Sequence, residues 1–456
     1  MADGDAHELP VPPASGESLR LGIWELAWPS MALFALHAMV GVVDFVFVGS
    51  LGETAIAAVG VASQIHFGVF AVLSAVTTGT VAMVARSTGA GDRDEVDRAT
   101  TASVGLSLLI GLGLCALIPT SETIIGFLGA SDEVRSLGGS CLALLLVFNV
   151  PFAIDIAISM ALRGAGDVRT PLAIGVVVNL ANILLDWMLV FGRLGAPELG
   201  AEGSAVASGL SYLLGAIVYL WLWRQRVLVV GYAGWRESLQ RERCRRLLRV
   251  GIPTALEQGA FQIGLLLFLS IVARFGTEPI SAYLIGVRIL SFCFVPGFGF
   301  STAAATIVGQ YLGAGLPDRA ARLAWRATGG AILVMGVVGL VIIVFARPLA
   351  SLFGDMGAET IDLSVVFITI LGAAQPLMAV EFTLGGALRG AGDTRFPLLV
   401  ILVGLFVFRL GGAIFVILPI FGSVQAVWCC LLADYAVKAV MLSARFAAGR
   451  WKAIQV

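Results

Sequence analysis

The heptapeptide Ala161-Leu162-Arg163-Gly164-Ala165-Gly166-Asp167 recurs unchanged as Ala387-Leu388-Arg389-Gly390-Ala391-Gly392-Asp393. The copies lie 226 positions apart, about half of a 456-residue chain. Each continues with an arginine and a proline at matching places, Arg169 and Pro171 after the first, Arg395 and Pro397 after the second. The chain is 58% hydrophobic and only 13% charged, with a mean hydropathy of +0.95. A polar turn repeated at this spacing in so apolar a sequence indicates one membrane module used twice.

Composition limits the class in the same direction. A soluble domain carries roughly 25% charged residues. Apolar runs of about 20 residues recur along the whole length, which predicts helices crossing a bilayer rather than alternating strands. The 55 glycines suit close helix packing. A net charge of −1 offers nothing to nucleic acid. The six cysteines lack the spacing of a metal site and fall mostly in apolar spans. Residues 1–18 are polar and proline-rich and read as a disordered cytoplasmic tail, not a signal peptide.

Twelve apolar segments can be counted, the first near residues 31–48 and the last near 424–441. The basic stretch 224–249 falls between the sixth and seventh. The expected organisation is an N-lobe over 19–225, a linker over 226–247, a C-lobe over 248–446 and a cytoplasmic tail over 447–456. Gly89-Ala90-Gly91 and Gly313-Ala314-Gly315 repeat at an offset of 224, as do Gly52 and Gly276. Six spans per half put both halves in the membrane the same way round, as a parallel repeat. The fold class is therefore an all-α polytopic membrane protein of twelve transmembrane helices in two pseudo-symmetric six-helix bundles. One set of loops and tails holds 22 of the 29 Lys and Arg residues, and the opposite set holds 4. That bias predicts a multi-pass protein of the cell membrane with both termini cytoplasmic.

Charges within lipid depth are costly, about 2.5–3.5 kcal/mol each on insertion scales, and call for a reason. Asp44 lies late in the first span; Asn182 and Asp186 share one face of the fifth. The repeat offsets map Asp44 to Phe268, Asn182 to Phe408 and Asp186 to Gly412. Scaffold needs would apply to both halves, so an oxygen-rich cluster in one half alone fits a coupling site for a proton or a hard cation. The plainer reading is hydrogen bonding between helices. Asp155 and Glu381 do repeat, at 226, and each is expected to neutralise an arginine or line a central cavity. Glu257 is expected to snorkel, to pair with Arg288 or to have a functional role; Asp434 and Lys438 are expected to pair with each other. His37 and His66 read as hydrogen-bonded core residues. Pro29 interrupts the first span fifteen residues before Asp44 and could serve as a switch or only as a packing bend.

These features together resemble the MATE (multidrug and toxic compound extrusion) transporters of prokaryotic type. The resemblance runs from about Leu21 to Phe446. It is carried by Val43-Asp44-Phe45-Val46-Phe47-Val48-Gly49-Ser50-Leu51-Gly52, both Leu-Arg-Gly-Ala-Gly-Asp turns, residues 182–186, and Gly251-Ile252-Pro253 opening the seventh span. The resemblance implies two lobes forming a V and export of small, cationic or amphipathic drugs or toxic metabolites in exchange for inward H⁺ or Na⁺. It implies a coupling site at Asp44, Asn182, Asp186 and Ser204, with Pro29 as the helix-bending switch. Cavity-lining candidates are Asp155, Ser159, Asn179, Glu257 and Glu381. Ser159 stands where many members have Asn, and Phe261 stands near a C-lobe acid of some members, which favours N-lobe coupling.

The expected partners are a small-molecule substrate and membrane lipids, with no nucleic acid, no cofactor beyond the coupling ion, no structural metal, and a monomer. An enzyme is not expected, since no nucleophile or metal constellation is present. The alternative is a flippase for a lipid-linked sugar, which needs a basic cavity that only Arg288 and Arg409 could supply.

Overall fold

Both copies of the repeated turn end a helix by the same backbone device. Gly166 and Gly392 take left-handed φ values of +93° and +87°. The Asp167 and Asp393 amides each reach back to the Leu carbonyl five residues earlier, at 2.9 and 2.8 Å. This is the glycine-terminated helix cap, and only glycine adopts that φ without strain. Two more glycine pairs repeat with it: Gly52 and Gly276 at φ +107° and +111°, Gly91 and Gly315 at +74° and +72°. The sequence duplication is thus a duplication of backbone.

The computed structural model describes residues 22–129, 131–353 and 357–454. The tail expected over 1–18 lies outside the described residues. The first lobe contains α1 (Ile23–Gly49), α2 (Glu53–Ala90), α3 (Arg93–Cys115), α4 (Asp132–Val147 continuing as Asn149–Ala165), α5 (Arg169–Phe191) and α6 (Ala201–Arg224). The second contains α7 (Arg241–Val272), α8 (Thr277–Gly313), α9 (Pro317–Val344), α10 (Ala358–Gly390), α11 (Arg395–Phe421) and α12 (Val424–Ala447). Eleven of these are long and apolar enough to cross a membrane alone, and α4 makes a twelfth as a span bent by 51°. Pro151 lies one turn past the bend, where it cannot donate to the Val147 carbonyl.

The segment read as linker is only partly one. Residues 225–240 run over the end of the N-lobe, and α7 is already helical from Arg241. Pro253 therefore sits inside α7, as its two-fold mate Pro29 sits inside α1, and neither helix is interrupted. The linker is fastened to α3. Gly231 and Ala233 amides donate to Asp97 Oδ1 and Thr101 Oγ1 at 2.5 and 3.1 Å. Arg243 forks onto Glu95 at 3.0 and 2.8 Å.

Each lobe has its own apolar interior. The lobes meet chiefly through α1 against α8, α2 against α7, and α2 against α8, a set that the two-fold exchanges with itself. At the α2–α8 seam a side chain on Gly89 would strike the Gln310 carbonyl, and one on Gly313 would strike the Arg86 carbonyl. These are mates at an offset of 224. Gly251 lies likewise on the Ala75 backbone, and Gly299 on Ala27 and Met31. Backbone-to-backbone contact of this kind lets membrane helices pack closely. All of it lies toward the arginine-rich ends. Toward the other ends, Gly60, Gly68 and Gly259 face open space. The two bundles pack backbone to backbone at the arginine-rich face, and nearer the other face Arg288 of α8 lies over the Phe45 ring of α1 at 4.8 Å.

Candidate functional site

Two helices of the first lobe each bring an acid to the same place. Asp44 projects from α1 and Asp186 from α5, and their carboxyl groups face each other, with the Ser204 hydroxyl of α6 facing Asp186. Asp186 is fully buried, Asn182 and Ser204 nearly so, and Asp44 is half-buried. Two ionised carboxylates in contact have no hydrogen to share. Accordingly Asp44 Oδ1 and both oxygens of Asp186 are buried without a hydrogen-bond partner. One turn earlier on α5, Asn182 donates to Ser208 at 3.4 Å and leaves its own Oδ1 unpartnered. Buried polar atoms are rarely left so, because each unmade bond costs about 1–3 kcal/mol. A shared proton would supply the missing hydrogen, and a hard monovalent cation would take the same oxygens as ligands. Among the described residues no three His, Cys, Asp or Glu side chains gather as a metal site.

The other expected residues fall around this pair with different roles. Pro29 is buried in α1 beside the seam with α8, and α1 stays helical through it. Asn179 donates back to the Gly175 carbonyl at 2.6 Å. Ser159 is buried on α4 near the Tyr219 hydroxyl. Asp155 lies against α6, where a side chain on Gly215 would meet its Oδ1. His66 packs on Phe152 and Tyr212, with ring centres 5.2 and 6.2 Å away. Its Nε2 has no hydrogen-bond partner.

Several pairings differ from those the sequence suggests. Glu257 binds Arg389 at 2.9 Å, while Arg288 lies over the Phe45 ring at 4.8 Å. The arginine of the second repeated turn is thus neutralised from α7, not by Glu381. The first-lobe position matching Glu257 is Leu33, and the mate arginine, Arg163, is 3% exposed, stacks on Phe34 at 5.3 Å and leaves Nη1 unpartnered. Glu381 pairs with Lys438 at 3.3 Å. Asp434 binds Lys438 at 3.1 Å, as the helical spacing suggests, but it also binds Arg409 on α11. That pairing withdraws one of the two arginines a basic central cavity would need. The sequence carries one signal for it, three charged residues in otherwise apolar spans.

On the arginine-rich face the two lobes are also bonded to each other. Thr306 Oγ1 and Gln310 Nε2, on α8, donate to the Arg163 and Gly164 carbonyls at 2.9 and 3.0 Å. Past α12, Trp451 is fully buried and stacks on Phe446 at 4.6 Å. That turn presents the Ile454 carbonyl to Arg86 of α2.

Comparison with known proteins follows the duplication. The family model MatE matches residues 29–188 and 253–415, two blocks whose starts are the mate prolines. The chain is 32% identical over 447 residues to the "Probable multidrug resistance protein NorM" of Thermotoga maritima, covering 97% of this chain and 95% of that one. It is 29% identical over 412 residues to the protein of the same name from Deinococcus radiodurans, covering 88% and 89%. Among solved structures it is similar to one described as the outward-facing conformation of a multidrug resistance MATE family transporter, with a TM-score of 0.87. Identity there is 23%, over 94% of this chain and 96% of that one. A MATE structure in a bent conformation matches at TM-score 0.86 and one in a straight conformation at 0.87, at 22% and 23% identity. Each covers 94% of this chain, and they cover 95% and 96% of the bent and straight chains.

Proposed function

The chain belongs to the MatE family of membrane transporters, and we propose that it is a secondary antiporter that exports small cationic or amphipathic compounds in exchange for inward H⁺ or Na⁺. Its relatives carry multidrug resistance names, which supports the substrate class. One observation carries the coupling assignment: the Asp44–Asp186 pair, whose buried carboxyl groups face each other with no cation beside them, in a position that the second lobe fills with Phe268 and Gly412. Ion entry there would be completed by Asn182 and Ser204, with Pro29 as the place where α1 yields.

The bias of 22 against 4 basic residues supports assigning the joined face to the cytoplasm. That face is then closed to the cytoplasm, and we take the state closed there as the one that loses substrate and accepts the ion. Neutralising the acid pair removes its charge repulsion and lets α1 and α5 close, which favours the opposite state. A membrane potential contributes about 2.3 kcal/mol per charge per 100 mV, a bias of nearly two orders of magnitude in a two-state equilibrium. The test is efflux of a fluorescent cation from proteoliposomes with sodium and pH gradients imposed separately. Wild-type protein should respond to one of them, and Asp44→Asn should respond to neither while still inserting. Undiminished gradient-driven efflux by Asp44→Asn would refute the assignment.

A further inference from the structure

The second lobe holds four charged side chains in its interior: Glu381 on α10, Arg409 on α11, and Asp434 and Lys438 on α12. Arg409, Asp434 and Lys438 are at most 1% exposed. Asp434 is held between Arg409 and Lys438, and Lys438 continues to Glu381. The Tyr435 ring lies 5.2 Å from the guanidinium and 5.0 Å from the ammonium. Two cations meet two carboxylates, so the group is neutral without any bound ion.

Its place in the bundle corresponds to the site of the first lobe. The Arg409 guanidinium lies 5.9 Å from the centre of the Phe268 ring, and Phe268 is the mate of Asp44 at an offset of 224. The last helices start at Ala201 and Val424, an offset of 223. That offset lays Tyr435 on Tyr212, which lies near both Asp44 and Asp155. It also lays Lys438 on Gly215. A side chain on Gly215 would meet Asp155, and Lys438 meets Glu381, the mate of Asp155. Helices α7, α10, α11 and α12 therefore assemble the same wall as α1, α4, α5 and α6. Where the first lobe meets its carboxyl pair with the neutral Ser204 hydroxyl, the second supplies cations on side chains.

We propose that Arg409 and Lys438 are tethered counter-cations. They fill the second lobe's counterpart of the ion site and hold the carboxylates beside it, Glu381 and Asp434, in ion pairs that cannot exchange ions with the medium. This rests on the coupling role proposed for Asp44 and Asp186. A cation attached to the chain competes at a very high effective concentration and cannot leave with the transport cycle. The inference implies a latent site for a monovalent cation, H⁺ or Na⁺, that removing Arg409 would expose.

The test uses full-length protein in an Asp44→Asn background, in which the first lobe is silent. Binding of ²²Na⁺ and proton uptake after a pH jump are measured on purified protein checked for monodispersity. Asp44→Asn should bind no specific cation. Adding Arg409→Met should restore one cation per chain, and adding Asp434→Asn as well should abolish it. If folded Asp44→Asn/Arg409→Met takes up no more cation than Asp44→Asn, the proposal fails. Should Arg409→Met not fold, the neutral pair Arg409→Met/Asp434→Asn with Asp44 intact decides. Wild-type gradient-driven efflux is expected there, and loss of coupling in folded protein would show that the second lobe exchanges ions itself. Retained coupling in Asp44→Asn alone would refute the first-lobe assignment instead, so the two failures are distinct.

Discussion

Arg86 Nη1 donates to the Ile454 carbonyl oxygen at 2.6 Å, across 368 residues of sequence and from the first lobe to the second. The bond closes over the seam where α2 meets α8, and any opening of the arginine-rich face has to break it. The tail that supplies the carbonyl is itself fixed by Trp451 stacked on Phe446 and by Lys452 bonded to Asp318 at 2.7 Å.

Arg86→Gln should therefore favour the state open at this face. A hydrogen bond from a charged donor contributes about 1.5–3 kcal/mol, roughly ten- to a hundredfold in the ratio of the two states. Spin labels on the arginine-rich ends of α3 and α9 should report a new, longer distance. An unchanged single distance would show that the tail rides passively on its own lobe.

Bulk at the mate glycines should act alike. Gly89→Val and Gly313→Val each press a side chain on a backbone carbonyl of the other lobe, so both should loosen the joined face and lower efflux by similar factors. Gly60→Val, which meets only open space, should be tolerated. Unequal effects at positions 89 and 313 in a dye-efflux assay would argue against a two-fold seam.

Within the acid site the expected order is set by charge. Asp186→Asn should abolish gradient-driven efflux as Asp44→Asn does. Ser204→Ala removes a neutral hydroxyl and should weaken ion binding by about 1 kcal/mol, roughly fivefold in the ion concentration giving half-maximal efflux. Equal losses in the two variants would place the hydroxyl among the primary determinants.

Glu257→Gln should destabilise the second lobe, because it leaves Arg389 in a largely buried place without its counter-charge. Breaking one partner of such a pair costs about 3–5 kcal/mol. A lowered thermal midpoint in detergent, recovered by combining it with Arg389→Leu, is the expected signature. An unshifted midpoint would mean that water or lipid headgroups reach the guanidinium.

The duplication, the number of spans and the class of protein were legible in the sequence because lipid imposes them on every residue of a span. The start of α7 was not: arginine is a good helix former, and Arg241, Arg243, Arg245 and Arg246 read equally as loop or as a helix projecting from the membrane. Asp44 and Asp186 stood out as polar residues at lipid depth, but their meeting depends on the packing of α1 against α5, which periodicity does not reveal. Lys438 could be joined to Asp434 by helical spacing alone. Arg409 could not, since it comes from a neighbouring helix, and its partner decides whether that lobe is charged or neutral inside. Glu257 shows the same limit: Arg288 is the nearer arginine in sequence, yet Arg389, 132 residues away, holds it. Pro29 read as a feature of one lobe, but Pro253 occupies the matching place inside α7, so this proline pair does not distinguish the lobes.

The fastening of residues 225–240 to α3 leaves the connector almost no slack. If one bundle rocks against the other, the strap would not absorb the motion, and the first turns of α7 would pivot about Arg243 like a door on its post. Lengthening the strap would then leave the swing unchanged, whereas stiffening those turns would slow it.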